Sequence, residues 1–236
     1  MAGSEPVAVV AGVGPGLGAA LCRKLVRAGY AVVALARTDA CTQTLAPELR
    51  QAGGTFMSVQ CDVGDTEAVD AAFAHIEREA GMVSVYIHNA SQLVAMPSLE
   101  LTAAAFTGAW RVTCLGALLC AQKVIPGMLR QGRGTILFTG ATGALRGGAG
   151  YAAFASAKFA LRGLAQSLAR EFGPRGIHVA HVVIDGLIWS GQVRRGFVRE
   201  QCLLPEAIAD CYLQLVNQDR SAWTQELDLR PDVEKF

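Results

Sequence analysis

The chain has 236 residues, is 52% hydrophobic and 17% charged, and carries 26 glycines and a formal net charge of +1. That length suits one α/β domain spanning 1–236 and falls short of two domains with linkers, while the glycine content suits tight turns between buried strands rather than disorder. The mixed charge presents no basic stripe for nucleic acid and no polybasic patch for a membrane, and no apolar run approaches the roughly 20 residues of a membrane span, so the expected partner is a small molecule or none.

The first element is a short apolar strand, Val7–Ala11, which runs into Gly12-Val13-Gly14-Pro15-Gly16-Leu17-Gly18 and a helix over 17–28. In this context Gly12, Gly16 and Gly18 read as a dinucleotide loop: one glycine makes the turn, one lets backbone approach a pyrophosphate, and one lets helix and sheet pack closely. The competing reading is packing alone. A second strand, Ala31–Ala36, ends at Arg37, where an arginine pairs with the 2′-phosphate of NADP and an acid would bind the ribose of NAD. This favours NADP(H) over NAD(H), against the alternative of a solvated strand-end cation.

A helix over 41–52, a strand over 55–61 followed by Asp62, and a helix over 66–80 come next. The strand Val83–His88 leads into Asn89-Ala90, and one continuous helix is expected over 103–129. A strand over 135–139, a glycine-rich loop, a helix over 151–172, a strand over 178–184 and a helix over 205–217 complete the series. The tail 223–236 reads as a last strand with a short polar end. Strands alternating with helices predict a doubly wound parallel sheet, Rossmann-like, with helices on both faces. The seven cysteines are scattered, with neither C-x-x-C spacing nor a histidine cluster, so no metal site is expected. Reduced thiols and the lack of a leader-like N-terminus suggest a cytoplasmic protein.

The glycine loop, Asp62 after the third strand, Asn89-Ala90 after the fourth, and Lys158 on the helix after the fifth together resemble the short-chain dehydrogenase/reductase family, over about residues 7–217. The resemblance implies that Asp62 contacts adenine, that Asn89 flanks the adenosine ribose, that Lys158 bonds the nicotinamide ribose, and that Gly186 lies beside the nicotinamide carboxamide. It also implies a homodimer or homotetramer built on the long helices, whose surface is rich in small residues.

The family's chemistry uses a tyrosine four residues before the lysine, a serine thirteen before the tyrosine, and an asparagine on the preceding long helix. Here those positions hold Phe154, Ala141 and Thr113, and the Asn-Asn-Ala-Gly turn reads His88-Asn89-Ala90-Ser91. Lys158 alone survives. A phenyl ring donates no proton, and loss of a positioned general acid costs on the order of 10²- to 10⁴-fold in rate.

Two places in the chain offer a replacement for the missing acid. Tyr151 lies seven residues before Lys158 on nearly the same helical face but about 10.5 Å away in rise, so its phenol serves the pocket from the first turn or merely packs. Thr142, one residue beyond the serine position, or Thr139 at the strand end either faces a substrate or sits as an ordinary strand-edge threonine. Asp185, where the family usually has proline, reads as a solvated turn residue or a group near the nicotinamide. Arg146 reads as a surface cation or an anion contact, and His75, His178 and His181 as structural.

Three functions stay open. One is a divergent NADP(H)-dependent oxidoreductase acting on a small alcohol or carbonyl, with Lys158, Thr142 and Tyr151 as its candidate catalytic groups. Another is a catalytically silent NADP(H)-binding regulatory or interaction protein. The third is a structural or interaction protein that keeps the fold and binds no nucleotide.

Overall fold

The computed structural model describes residues 5–191 and 196–234. Among them seven strands, β1 (Val7–Ala11), β2 (Ala31–Ala36), β3 (Phe56–Gln60), β4 (Val83–His88), β5 (Gly134–Thr139), β6 (Ile177–Ile184) and β7 (Glu226–Leu229), form one sheet in the order β3-β2-β1-β4-β5-β6-β7. All neighbours pair in parallel. The helices are α1 (Leu17–Arg27), α2 (Ala40–Gln51), α3 (Thr66–Glu79), α4 (Ala103–Trp110), α5 (Gly116–Gln131), α6 (Ala152–Phe172) and α7 (Pro205–Val216).

The alternation of side chains along each strand divides the core between two faces. Val7, Val9 and Ala11 of β1 join one cluster with α3, α5 and α6, including Ile76, Met128 and Leu161. Ala8 and Val10 point the other way and join α1, α2 and α7 through Leu21, Leu45 and Tyr212. Strands β1 and β6, each paired on both sides, are buried along their full length. The expectation of a buried strand fails for β3, where half-buried Met57 and Val59 alternate with exposed Ser58 and Gln60 and only Phe56 is buried, because β3 lies at the edge of the sheet.

The helix expected over 103–129 is interrupted. Between α4 and α5 lies a single π-helical turn, Arg111–Leu115. A Cβ on Gly116 would stand 2.7 Å from Val63 O, so the helix passes the loop after β3 with no room for a side chain. The whole segment Ala103–Gln131 is long and apolar enough to cross a membrane by length and composition, which corrects the expectation that no stretch approaches that length. Its buried side chains, including Ala117, Cys120 and Val124, pack into the sheet as a core layer.

Strand order reverses between β1 and β4, and in open α/β sheets ligands bind outside the carboxyl ends of the strands at such a point. The residues that follow the ends of these two strands are Gly12 and Asn89.

Candidate functional site

Three of the four glycines of the first loop, Gly12, Gly16 and Gly18, do three different things. Gly12 has φ +87°, and a Cβ there would lie 2.4 Å from Ala90 N, so this turn against the exit of β4 requires glycine. Asn89 fastens the same contact, donating its Nδ2 to Gly12 O at 2.9 Å and its backbone N–H to Ala11 O at 2.8 Å. Gly18 packs α1 onto the loop, since its Cβ would stand 2.7 Å from Gly12 O. Gly16 has nothing within 4 Å of its Cβ position and stands at the N-cap of α1, with no side-chain cap and no acid in the first turn. An open approach to uncapped helix N–H groups suits an anion.

Beside this loop runs a cleft of about 420 Å³, lined by Gly12, Arg37, Asp62, Asn89, Ser91 and Val112 among others. It draws on the carboxyl ends of β1 to β4, which bring together residues up to a hundred positions apart. Arg37 is exposed, Gln60 Nε2 donates to its carbonyl at 2.8 Å, and among the described residues no acid pairs with its guanidinium. Asp62 accepts from Gly64 N at 2.9 Å, and Arg111 donates to Gly64 O at 2.9 Å, so the aspartate is held by its own turn. The cleft and the glycine approach fit a dinucleotide.

His88, the last residue of β4, stands where the resemblance implies an asparagine, and it is fully buried. Its Nδ1 meets Tyr86 Oη at 2.7 Å and its Nε2 meets Val112 O, in the π turn, at 3.2 Å. Burial, reinforced by the Lys158 charge, lowers its pKa to about 3. The neutral ring therefore accepts from the phenol and donates to Val112 O. Thr113, at the asparagine position, is also buried in the π turn, 3.5 Å from Ser91 Oγ.

Lys158 is 3% exposed and donates to Thr139 O at 2.7 Å, with the Phe154 ring centroid 5.7 Å from its Nζ. Burial lowers its pKa to about 7. A Cβ on Gly143 would stand 2.9 Å from the Phe154 ring, so that ring fills the space under the loop after β5. Tyr151 is the N-cap of α6, one residue before the helix proper, and its ring packs 3.4 Å from the Cβ position of Gly148. Thr139 is corrected as a substrate-facing candidate: its hydroxyl is buried against Tyr212 Oη at 2.8 Å.

Thr142, by contrast, is half-buried and hydrogen-bonded to Asp185. The reading of Asp185 as a solvated turn residue is wrong, because it is 1% exposed and meets Arg146 and Arg230 as well as Thr142. Gly186 has φ +143°, and a Cβ there would stand 2.9 Å from both Leu203 Cδ1 and Pro231 Cδ, so the chain is pressed between α7's approach loop and the tail. Sequence reasoning missed Arg230, since no local pattern ties a tail arginine to a loop 45 residues earlier.

The histidines behave as structural groups. His178 stacks on Trp223 at 4.9 Å, His75 meets Arg78, and His181 Nδ1 meets Glu226 at 3.0 Å. Among the described residues no three His, Cys, Asp or Glu side chains gather as a metal site.

A doubly wound parallel sheet with a glycine turn and an open cleft at its switch point defines the Rossmann-like nucleotide-binding class. A short chain dehydrogenase family model matches residues 6–189, so the chain belongs to the short-chain dehydrogenase/reductase family. It is 30% identical over 230 residues to D-xylose 1-dehydrogenase of Caulobacter vibrioides, covering 92% of this chain and 90% of that one. A short-chain dehydrogenase from Rhodopseudomonas palustris superposes with TM-score 0.83 at 36% identity, over 95% of this chain and 98% of that one. An alcohol dehydrogenase from Thermococcus sibiricus, complexed with 5-hydroxy-NADP, superposes with TM-score 0.88 at 26% identity, over 98% of each chain.

Proposed function

We propose that this protein binds NADP(H) in preference to NAD(H) and is a divergent oxidoreductase for a small alcohol or carbonyl. The observation that carries the cofactor preference is Arg37, an exposed guanidinium without an acidic partner among the described residues, at the mouth of the cleft beside Gly12 and Asn89. Gly16 leaves room for the pyrophosphate, Asp62 and Asn89 flank the adenosine, and Lys158 and Gly186 serve the nicotinamide half. Bound NADP(H) supplies hydride chemistry. This chain's part is to bind and orient it and to hold the substrate oxygen near Thr142, with Tyr151 at the head of α6.

A second reading has one observation in its favour: positions 154 and 141 hold a phenyl and a methyl group, so the family's proton donors are absent. The protein then binds NADP(H) without turnover, as a regulatory or interaction protein. Seven free cysteines support a reducing, cytoplasmic setting. Phe106 and Trp110 of α4 and Phe159 of α6, 40%, 37% and 44% exposed, support a homodimer or homotetramer through these helices.

Fluorescence titration with NADPH and NADH tests the cofactor reading. NADPH is expected to bind more tightly, and Arg37→Ala is expected to weaken NADPH about 10- to 100-fold, the worth of a charge-assisted bond, with little change for NADH. Binding of neither nucleotide by folded protein overturns both readings. Binding of NADPH with no turnover across a broad panel of alcohols and carbonyls selects the silent one.

A further inference from the structure

The loops after β5 and β6 meet in a polar cluster that the family's tyrosine and serine do not explain. Asp185 follows β6, and its backbone N–H is tied to Leu229 O at 2.8 Å, which fixes the buried carboxylate in place. Thr142 donates its hydroxyl to Asp185 Oδ1 at 2.5 Å. Arg146 approaches Oδ1 at 3.7 Å from the loop side, and Arg230 approaches Oδ2 at 3.5 Å from the tail. A carboxylate facing two guanidiniums offers acceptor oxygens and nothing else, so the one hydroxyl proton of Thr142 is committed to it. Toward any ligand, Thr142 Oγ1 presents lone pairs.

Thr142 opens the turn directly after Ala141 and sits beside Gly143, against which the Phe154 ring packs. Where the family would place two hydrogen-bond donors, this chain places a methyl group, a phenyl ring and an acceptor oxygen. Building on the oxidoreductase reading above, we propose that the Thr142–Asp185 pair makes the substrate end of the site select ligands that donate a hydrogen bond, alcohols and polyols, over acceptor-only carbonyl ligands of the same shape. An alcohol gives its O–H to Thr142 Oγ1. A ketone in the same place sets oxygen against oxygen and leaves its own acceptor unsatisfied as water is excluded.

The test is calorimetric titration of cyclohexanol and cyclohexanone, a matched pair, into nucleotide-free and NADP⁺-equilibrated protein, for wild type, Thr142→Val and Thr142→Ser. Cyclohexanol is expected to bind wild type and Thr142→Ser at least about fivefold more tightly than cyclohexanone, and Thr142→Val, which keeps the shape, is expected to lose the preference. Asp185→Asn gives a second readout, because an amide can donate to Thr142, free its proton, and flatten or invert the preference. No preference in wild type, binding of neither ligand, or a preference that survives Thr142→Val overturns the proposal. A separate NADP⁺ titration keeps the two failures apart: loss of nucleotide binding strikes the cofactor reading, whereas nucleotide binding without the alcohol preference strikes this proposal alone.

Discussion

With a phenyl ring at position 154, the Lys158 ammonium keeps Thr139 O as its hydrogen-bond partner and faces an aromatic surface instead of a phenol oxygen. Burial lowers its pKa to about 7. An unfolded lysine titrates at about 10.4. Between about pH 7 and pH 10 the unfolded chain therefore holds a proton that the native state has released, and this residue's contribution to stability rises with pH across that window. Below pH 7 both states hold the proton, and the full burial cost is present. Lys158→Met is thus expected to raise the melting temperature of nucleotide-free protein at pH 6.5, with the gain shrinking steadily towards pH 9.5. Calorimetry at four pH values checks this, and a gain independent of pH would falsify the assignment. What the sequence itself made legible is that Phe154 and Lys158, four apart, share one face of α6, as the ring beside the ammonium shows; that a tyrosine and a serine stand at positions 154 and 141 in the family is what the resemblance implies. The burial of Asp185 was not legible, because turn propensity is local and Arg230 comes to it from the tail.

At the level of elements, the strand-turn-helix unit at the N-terminus separates packing from binding within a single motif. Gly12 and Gly18 are required by neighbours within 3 Å, whereas Gly16 faces open space. Gly12→Ala combines a left-handed φ with a collision against Ala90, and overpacking alone costs about 1–3 kcal/mol, so the variant is expected to unfold at lower denaturant. Gly16→Ala is expected to cost no more than about 1 kcal/mol, the scale of an N-cap change, and yet to weaken NADPH binding about tenfold or more by intruding on the phosphate approach. Paired urea melts and NADPH titrations separate the two, and equal stability losses would contradict the division. The sequence motif named all three glycines without saying which did what. That assignment needed Ala90, brought in by β4. The π turn at Arg111–Leu115 was hidden for a similar reason: the apolar pattern of the long helix continues through it, and the loop at Val63 that passes against its end at Gly116 comes from a distant part of the chain.

For the molecule as a whole, the alternation of strands and helices made the parallel sheet readable, since right-handed crossovers leave few other arrangements. The edge position of β3 has a trace in the sequence, since Ser58 and Gln60 alternate with Met57 and Val59 as on a half-buried strand, but five residues are too few to separate that pattern from a central strand. The consequence for function lies in which strands the cleft gathers. Its lining comes from the ends of β1, β2, β3 and β4 and from the π turn, while the groove between α3 and α5 near Met82 lies at the opposite ends of the strands. A nucleotide held in the cleft ties the N-terminal half of the sheet together. At a hundredfold excess over its dissociation constant it stabilises the native state by about 2.7 kcal/mol, which for a chain of this size corresponds to about 5–10 °C in melting temperature. NADPH is expected to produce that shift, and hydrogen exchange is expected to slow at residues 12–18, 36–38, 61–64 and 89–92 while staying unchanged at 80–82. A melting shift with protection spread evenly over both ends of the sheet would place the nucleotide elsewhere, because ligation at the switch point orders the loops at the carboxyl ends of the strands and leaves the opposite turns as they are.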